Sequence, residues 1–131
     1  MKLITRDTDY AVRALCRITD YKEQPVSVDE LTKSLKIPKA FLRKILQVLS
    51  KEKILRSYKG KGGGFILAVS MDKIYLKDLM DIFQGPIKLN ECIFKKKICP
   101  NIRACPLRKK VTKIERYVFS ELKSITLASL F

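Results

Sequence analysis

Apolar residues recur at helical spacing near the start of the chain, where they predict an amphipathic helix. The residues at i, i+3, i+4 and i+7 are Ala11, Ala14, Leu15 and Ile18. This spacing aligns them along one side of a helix, which we expect to be buried. Thr5 can cap this helix, and Cys16, next to the apolar stripe, is interpreted as a buried packing cysteine.

Two further short helices are predicted on either side of a tight turn. Ser27 and Glu30 have the spacing of a capping box, and Pro38 suits the first position of the helix after the turn. The inward positions of that helix are Phe41, Leu42, Ile45, Leu46 and Leu49. Its outward positions are Lys39, Arg43, Lys44, Gln47 and Ser50. Two capped helices joined in this way, the second basic on its outer face, are typical of a helix-turn-helix.

After the third helix, two strand-like runs flank a glycine-rich turn. The runs are Ile54 to Lys59 and Phe65 to Val69, and the turn contains Gly60, Gly62, Gly63 and Gly64. Glycine permits positive φ and a close approach of the backbone to a partner. We interpret the hairpin as a basic wing that contacts phosphates or a minor groove, although a flexible turn explains the glycines equally well.

The C-terminal third has a second helical pattern. A short helix is predicted within Ile74 to Phe83 and ends at Gly85-Pro86. From Leu107 a long helix begins. Its apolar stripe is Leu107, Val111, Ile114, Val118, Leu122 and Ile125. The intervals are coiled-coil-like; we interpret the stripe as a homodimer interface, with packing inside the subunit as the alternative.

These elements predict a mostly α fold with a small β-wing. We expect a winged helix-turn-helix DNA-binding domain in residues 1–85 and a cysteine-bearing loop in residues 86–106. A long dimerisation helix and C-terminal tail would occupy residues 107–131.

The charge balance points to a polyanionic partner. The chain has 28 Lys and Arg against 13 Asp and Glu, a net charge of +15, which favours nucleic acid or an anionic membrane surface. A merely solvated basic surface is the alternative. The residues expected to contact DNA are Lys39, Arg43, Lys44, Gln47, Arg56, Lys59, Lys61, Gly62 and Gly63.

Other functional classes find little support in the sequence. The longest apolar run, Phe65 to Val69, is too short to cross a bilayer, and the first residues lack the apolar core of a signal peptide. We therefore expect a cytoplasmic protein with no membrane partner. The chain has no histidine, no nucleophile motif and no recognisable carboxylate pair, so we expect no enzyme activity.

Three of the four cysteines, Cys92, Cys99 and Cys105, lie close together in the sequence. In a reducing compartment such clusters are more often ligands or redox thiols than disulfides. Thiolates select zinc, copper(I) or iron–sulfur centres, which usually need four ligands. The fourth would be Cys16, a carboxylate, solvent or a group of another subunit. Unliganded cysteines serving as small apolar residues are the alternative.

The order of these elements resembles the winged-helix regulators typified by the iron–sulfur cluster regulator IscR and the nitric-oxide-sensing repressor NsrR. The resemblance rests on TDYAVRAL in the first helix, on VDELTKSLKIPKAFLRKILQVLSKEKILRSYKGKGGGFIL, and on the three spaced cysteines. It covers nearly the whole chain. It implies a cytoplasmic homodimer that binds a double-stranded DNA operator, with a long helix of each subunit crossing its partner.

The same resemblance implies an iron–sulfur cluster held by Cys92, Cys99 and Cys105. In the IscR type a histidine follows the third cysteine, whereas here Pro106-Leu107-Arg108 follows. In the NsrR type an N-terminal aspartate of the partner subunit completes the shell. It matches Asp9, ahead of Asp7, and this favours [4Fe–4S] over [2Fe–2S]. Arg43 and Lys59 replace a glutamate and an arginine of the IscR type, so the operator sequence does not carry over.

We therefore hypothesise a homodimeric transcription regulator that senses iron–sulfur status, nitric oxide or redox stress. Some regulators of this kind lack a cluster, so a zinc-bound or thiol-switched repressor of sulfur metabolism is the alternative. An electron carrier resembling a ferredoxin gains no support from the helix-turn-helix. A structural nucleic-acid binder would be colourless after anaerobic purification, unlike a cluster protein.

Overall fold

Five helices and one small hairpin make up the computed structural model, which describes residues 2–89 and 104–131 of the chain. The helices are α1 (Arg6–Thr19), α2 (Val28–Leu35), α3 (Lys39–Lys51), α4 (Leu76–Gln84) and α5 (Pro106–Ser124). The strands are β1 (Leu55–Tyr58) and β2 (Gly64–Leu67), and two 3₁₀ turns span Met71–Lys73 and Leu127–Leu130. This arrangement confirms the predicted mostly α fold with a small β-wing. None of the described helices has the length and apolar character needed to cross a membrane.

Helix α1 lies at the centre of the fold and packs against α2, α3 and α4. It begins as predicted, because the Thr5 side chain accepts a hydrogen bond from the backbone N–H of Thr8 at 3.4 Å. The predicted stripe of Ala11, Ala14, Leu15 and Ile18 is buried. Cys16 is half-buried rather than buried, because it follows Leu15 by about 100° around the helix and leaves the stripe.

The helix-turn-helix consists of α2 and α3. Its capping box is present: the Ser27 hydroxyl accepts from the Glu30 N–H at 3.2 Å, and the Glu30 carboxylate accepts from the Ser27 N–H at 3.2 Å. Lys36 ends α2 in the left-handed conformation, with φ of 56°. Pro38 is the N-cap of α3 rather than its first helical residue, one position from the prediction.

The inner face of α3 is narrower than predicted. Leu42, Ile45, Leu46 and Leu49 are buried and complete an i, i+3, i+4, i+7 stripe. Phe41 falls outside this stripe and is 48% exposed, so its predicted inward orientation is wrong. Ser50, predicted to face outward, is half-buried because it lies one turn beyond Leu46, on the same side of the helix.

The wing is an antiparallel hairpin attached to the helix-turn-helix. Its register pairs Leu55 with Leu67 and Tyr58 with Gly64. An isolated bridge joins Phe65 to Val26, just before α2. A Cβ atom on Gly64 would lie 2.3 Å from the carbonyl oxygen of Val26. Gly64 therefore permits a close backbone contact that attaches the wing to the segment before α2. Its role is not limited to the flexibility of the turn.

The apolar stripe of α5 divides into a buried end and an exposed beginning. Leu122, near its C-terminus, is buried, as is Leu127 in the 3₁₀ turn that follows. This end also contacts α4, where the Lys77 ammonium lies 4.4 Å from the centre of the Phe119 ring. Nearer the start of α5, Val111 is half-buried, whereas three large side chains remain open to solvent. Leu107 is 68% exposed, Ile114 54% and Tyr117 69%.

Candidate nucleic-acid interface and cysteine site

The outer face of α3 is polar, basic and open to solvent. Arg43, Lys44 and Gln47 are all exposed, while the opposite side of the helix is fixed in the core by its four buried residues. The end of α3 is joined directly to the wing, because the N–H of Ile54 donates to the carbonyl oxygen of Leu49 at 3.0 Å. The cations of Arg43 and Lys44 and the amide of Gln47 therefore face solvent from a helix that core packing holds in place.

Lys39, at the start of α3, already has an acidic partner. Its ammonium lies 2.7 Å from the carboxylate of Asp29 in α2. The hydrogen bond and positive charge of Lys39 lower the pKa of the Asp29 carboxyl, with smaller contributions from Lys33 and Arg43. Lys39 therefore has to exchange a carboxylate for a phosphate if it contacts DNA, whereas Arg43 and Lys44 carry no such pair in the described structure.

The predicted contact residues of the wing are also exposed, with one exception. Arg56 lies on β1, and Lys59, Lys61 and Gly62 lie in the turn; all four are exposed. Gly63 is half-buried, and its N–H donates to the carbonyl oxygen of Gly60 at 3.0 Å. The turn thus uses the Gly63 N–H internally and leaves its two lysines free to approach a polyanion.

Cys105 is the N-cap of α5 and is half-buried. Its thiol makes no capping hydrogen bond to the helix, and Pro106 occupies the first helical position. Cys92 and Cys99 lie outside the described residues. The described residue that precedes this gap is also held at α5, because the N–H of Leu89 donates to the Glu115 carboxylate at 2.9 Å.

Asp9, the candidate fourth ligand, lies in the first half of α1 and is half-buried. Its carboxylate accepts a hydrogen bond from Arg13 Nε at 2.9 Å. Within residues 2–89 and 104–131, no group of three or more cysteine, histidine or acidic side chains is placed to hold a metal ion. The predicted three-cysteine site therefore depends on Cys92 and Cys99, which lie outside these residues.

A polar cluster that the sequence did not reveal lies where α4 meets α1. Gln84, the last residue of α4, accepts hydrogen bonds from the N–H of Thr5 at 3.0 Å and from the Thr8 hydroxyl at 2.8 Å. Its amide nitrogen donates to the carbonyl oxygen of Leu3 at 2.8 Å. The residues of this cluster are 76 to 81 positions apart, so no local pattern could have identified it. It fixes the start of α1, and hence Asp9, to the end of α4.

Comparisons with known proteins agree with this geometry. The Rrf2 family model, described as an iron-dependent transcriptional regulator, matches residues 4–131. A protein of Aquifex aeolicus, provisionally described as an HTH-type transcriptional regulator, is 34% identical over 115 residues, which are 88% of this chain and 76% of its own.

Two solved structures share the fold. CymR, the global cysteine regulator of B. subtilis, superposes with a TM-score of 0.80 at 21% identity, covering 99% of this chain and 96% of its own. T. potens IscR superposes with a TM-score of 0.73 at 23% identity, covering 99% of this chain and 85% of its own. Identities this low support a common fold and nothing finer.

Proposed function

Because this chain belongs to the Rrf2 family of DNA-binding transcriptional regulators, we propose that it is a cytoplasmic homodimer that binds a double-stranded DNA operator and senses through an iron–sulfur cluster. The observation that carries the proposal is the exposed basic face of α3 joined to an exposed basic wing. Family membership confirms the resemblance found in the sequence and agrees with the expectation of a regulator rather than an enzyme.

The DNA contacts are assigned by chemistry and position. Arg43, Lys44 and Gln47 are exposed polar side chains of α3 that can reach base edges and phosphates. Lys59 and Lys61 of the wing would neutralise phosphates, together with Arg56 and the backbone near Gly62. Lys39 joins them after exchanging Asp29 for a phosphate. Gly63 contributes to the shape of the turn, because its N–H is already bonded within the turn.

The dimer is assigned to the exposed part of α5. Leu107, Ile114 and Tyr117 present large apolar surfaces that the described subunit leaves uncovered. Exposed apolar side chains that cluster along one helix mark an interaction surface. A second copy of α5 offers the same stripe, so a twofold contact would bury both at once.

The cysteine set fits a cluster in its chemistry. Cys105 offers a half-buried thiol at the N-cap of α5 that makes no capping hydrogen bond to the helix. Cys92 and Cys99 would supply the other two thiolates, and Asp9 of the partner the fourth ligand, after leaving Arg13. A bound cluster would supply a centre that reacts with oxidants and nitric oxide, with [4Fe–4S] favoured over [2Fe–2S].

The ion pair of Asp9 also gives a specific reason to consider a cluster-free regulator. Its carboxylate is paired with Arg13 at 2.9 Å, so it would have to leave this partner before it could bind a cluster. A thiol-switched repressor of sulfur metabolism would need no ligand from α1, and a zinc-bound one could take solvent as its fourth ligand. In that case the three cysteines alone would carry the signal.

Anaerobic purification with iron and sulfide analysis separates these possibilities. We expect visible absorbance and bound sulfide in the wild type, and loss of both in Cys92→Ala, Cys99→Ala and Cys105→Ala. Cys16→Ala is the matched control and should keep the cluster, because Cys16 lies on α1 outside the cysteine segment. Asp9→Ala should leave a labile cluster, since three thiolates remain.

Operator fragments selected with the purified protein then test the link to DNA. The cluster-bound and cluster-free proteins should differ in operator affinity. Equal affinity of the two forms, or full retention of iron in Cys99→Ala, would refute the cluster as the sensor. Stoichiometric zinc without sulfide would instead support the zinc-bound regulator.

A further inference from the structure

Phe41 is an exposed aromatic side chain on an otherwise polar and basic helix surface. It is 48% exposed, and its neighbour Ala40 is exposed as well. The two residues lie in the first turn of α3, after the N-cap residue Pro38 and the first helical residue Lys39. Burying an aromatic side chain is favourable, so an open position on this surface suggests that Phe41 is covered by a binding partner.

The charges around Phe41 indicate what that partner is. The first turn of α3 contains no acidic residue. Its one basic residue, Lys39, is paired with Asp29 at 2.7 Å. The cations of Arg43 and Lys44 follow immediately. Since the Lys39–Asp29 pair carries no net charge, the surface has an apolar beginning bordered by positive charge, which suits a groove whose walls are phosphates and whose floor contains base edges.

We propose that Phe41 is a specificity-determining residue that contacts the C5 methyl group of a thymine in each operator half-site. In helix-turn-helix proteins the N-terminal residues of the recognition helix meet base edges in the major groove. The thymine methyl is the apolar group displayed there, and phenylalanine is one of the side chains that contacts it. This inference rests on the proposed function, because it requires α3 to lie in the major groove.

The position of Phe41 at the start of α3, and not its exposure alone, supports a contact with DNA. Single apolar side chains are common on protein surfaces and need no explanation. Tyr75, for example, is 39% exposed at the N-cap of α4, outside α3 and the wing. Phe41 differs because it occupies the part of α3 that enters the groove first. Tyr75 therefore provides a matched control.

Uracil replaces thymine with the loss of the methyl group alone, which makes a direct test. Selected operators would be synthesised with uracil at one thymine position of a half-site at a time. We expect wild-type affinity to fall about fourfold at one position, the effect of losing one buried methyl group. Phe41→Ala should bind the thymine and uracil operators equally. Phe41→Leu should keep part of the preference, and Tyr75→Ala all of it.

The outcomes separate this inference from the function on which it rests. If the wild type binds no selected operator, the proposed DNA contact fails. If it binds but ignores every thymine-to-uracil change, or if Phe41→Ala keeps the full preference, Phe41 does not read a methyl group. A Phe41→Ala protein with altered oligomeric state and an intact preference would place Phe41 in a subunit contact and overturn the inference. Thermal unfolding of each variant checks that it is folded.

Discussion

The buried hydroxyl of Thr8 in α1 donates a 2.8 Å hydrogen bond to Oε1 of Gln84, the last residue of α4. The same oxygen accepts from the N–H of Thr5, and the Gln84 amide donates to the carbonyl oxygen of Leu3. One side chain therefore joins the N-terminal segment and the first turn of α1 to the point where α4 ends. In the sequence, the cysteine-bearing residues follow Gln84, and Asp9 directly follows Thr8.

Replacing Gln84 by alanine should destabilise the protein. Thr8 is fully buried, and its hydroxyl would keep only the Thr5 hydroxyl, at 3.2 Å, as a partner. The N–H of Thr5 would lose its acceptor. An unsatisfied buried polar group costs about 1–3 kcal/mol, which urea unfolding would detect. Gln84→Glu is the control, because it keeps an acceptor oxygen for Thr8 and Thr5, loses the donor to Leu3 and adds a negative charge. Gln84→Ala as stable as the wild type would contradict the importance of this cluster.

Operator affinity should decrease steeply with salt. Each phosphate contact contributes about −0.9 to the slope of log K against log salt concentration. Lys44→Ala and Lys61→Ala should therefore each flatten the slope by about 0.9. Lys113→Ala, which removes an exposed lysine of α5, should leave the slope unchanged. An affinity independent of salt would exclude the phosphate contacts assigned to α3 and the wing.

The Asp29–Lys39 ion pair should be visible in a titration. Lys39 lowers the pKa of the Asp29 carboxyl, so this carboxylate stays charged to a lower pH than an ordinary aspartate. A pKa that is lower in the folded than in the unfolded state stabilises the folded protein at pH values above the unfolded-state pKa. This stabilisation is lost as the pH falls through the folded-state pKa. In Lys39→Met, carboxyl chemical shifts should report a higher pKa for Asp29. An unchanged pKa would show that the pair does not persist in solution.

Elements governed by local spacing were predictable from the sequence. Thr5 and the Ser27–Glu30 pair are caps, and caps act within one turn, so α1 and α2 begin where the sequence indicates. Gly85 ends α4 for the same local reason. The proposed DNA contacts followed in turn, because the face opposite a buried stripe is exposed by geometry alone.

Features that depend on distant residues were not predictable. The contact of Gly64 with Val26 joins the wing to a segment nearly forty positions earlier, and Gln84 reaches back to the first residues of the chain. Phe41 was misassigned because a helix stripe accommodates only a limited arc. The core buries four residues of α3 and leaves Phe41 at its border. Which residues are buried depends on how α1 and α2 pack against α3. The sequence shows which residues are apolar but not which of them the core has room for.

The exposed stripe of α5 provides the last test, because it distinguishes a partner helix from packing within the subunit. Ile114 is 54% exposed in the isolated subunit, so Ile114→Glu should cost that subunit little stability. In a dimer formed through α5 the same change would bury like charges in the subunit contact, which is strongly unfavourable. We expect a folded monomer that has lost operator affinity, measured by sedimentation and by DNA binding. Arg116→Glu changes an exposed residue well around the helix from Ile114 and should remain dimeric. If Ile114→Glu also remains a dimer with full affinity, the subunits associate through another surface.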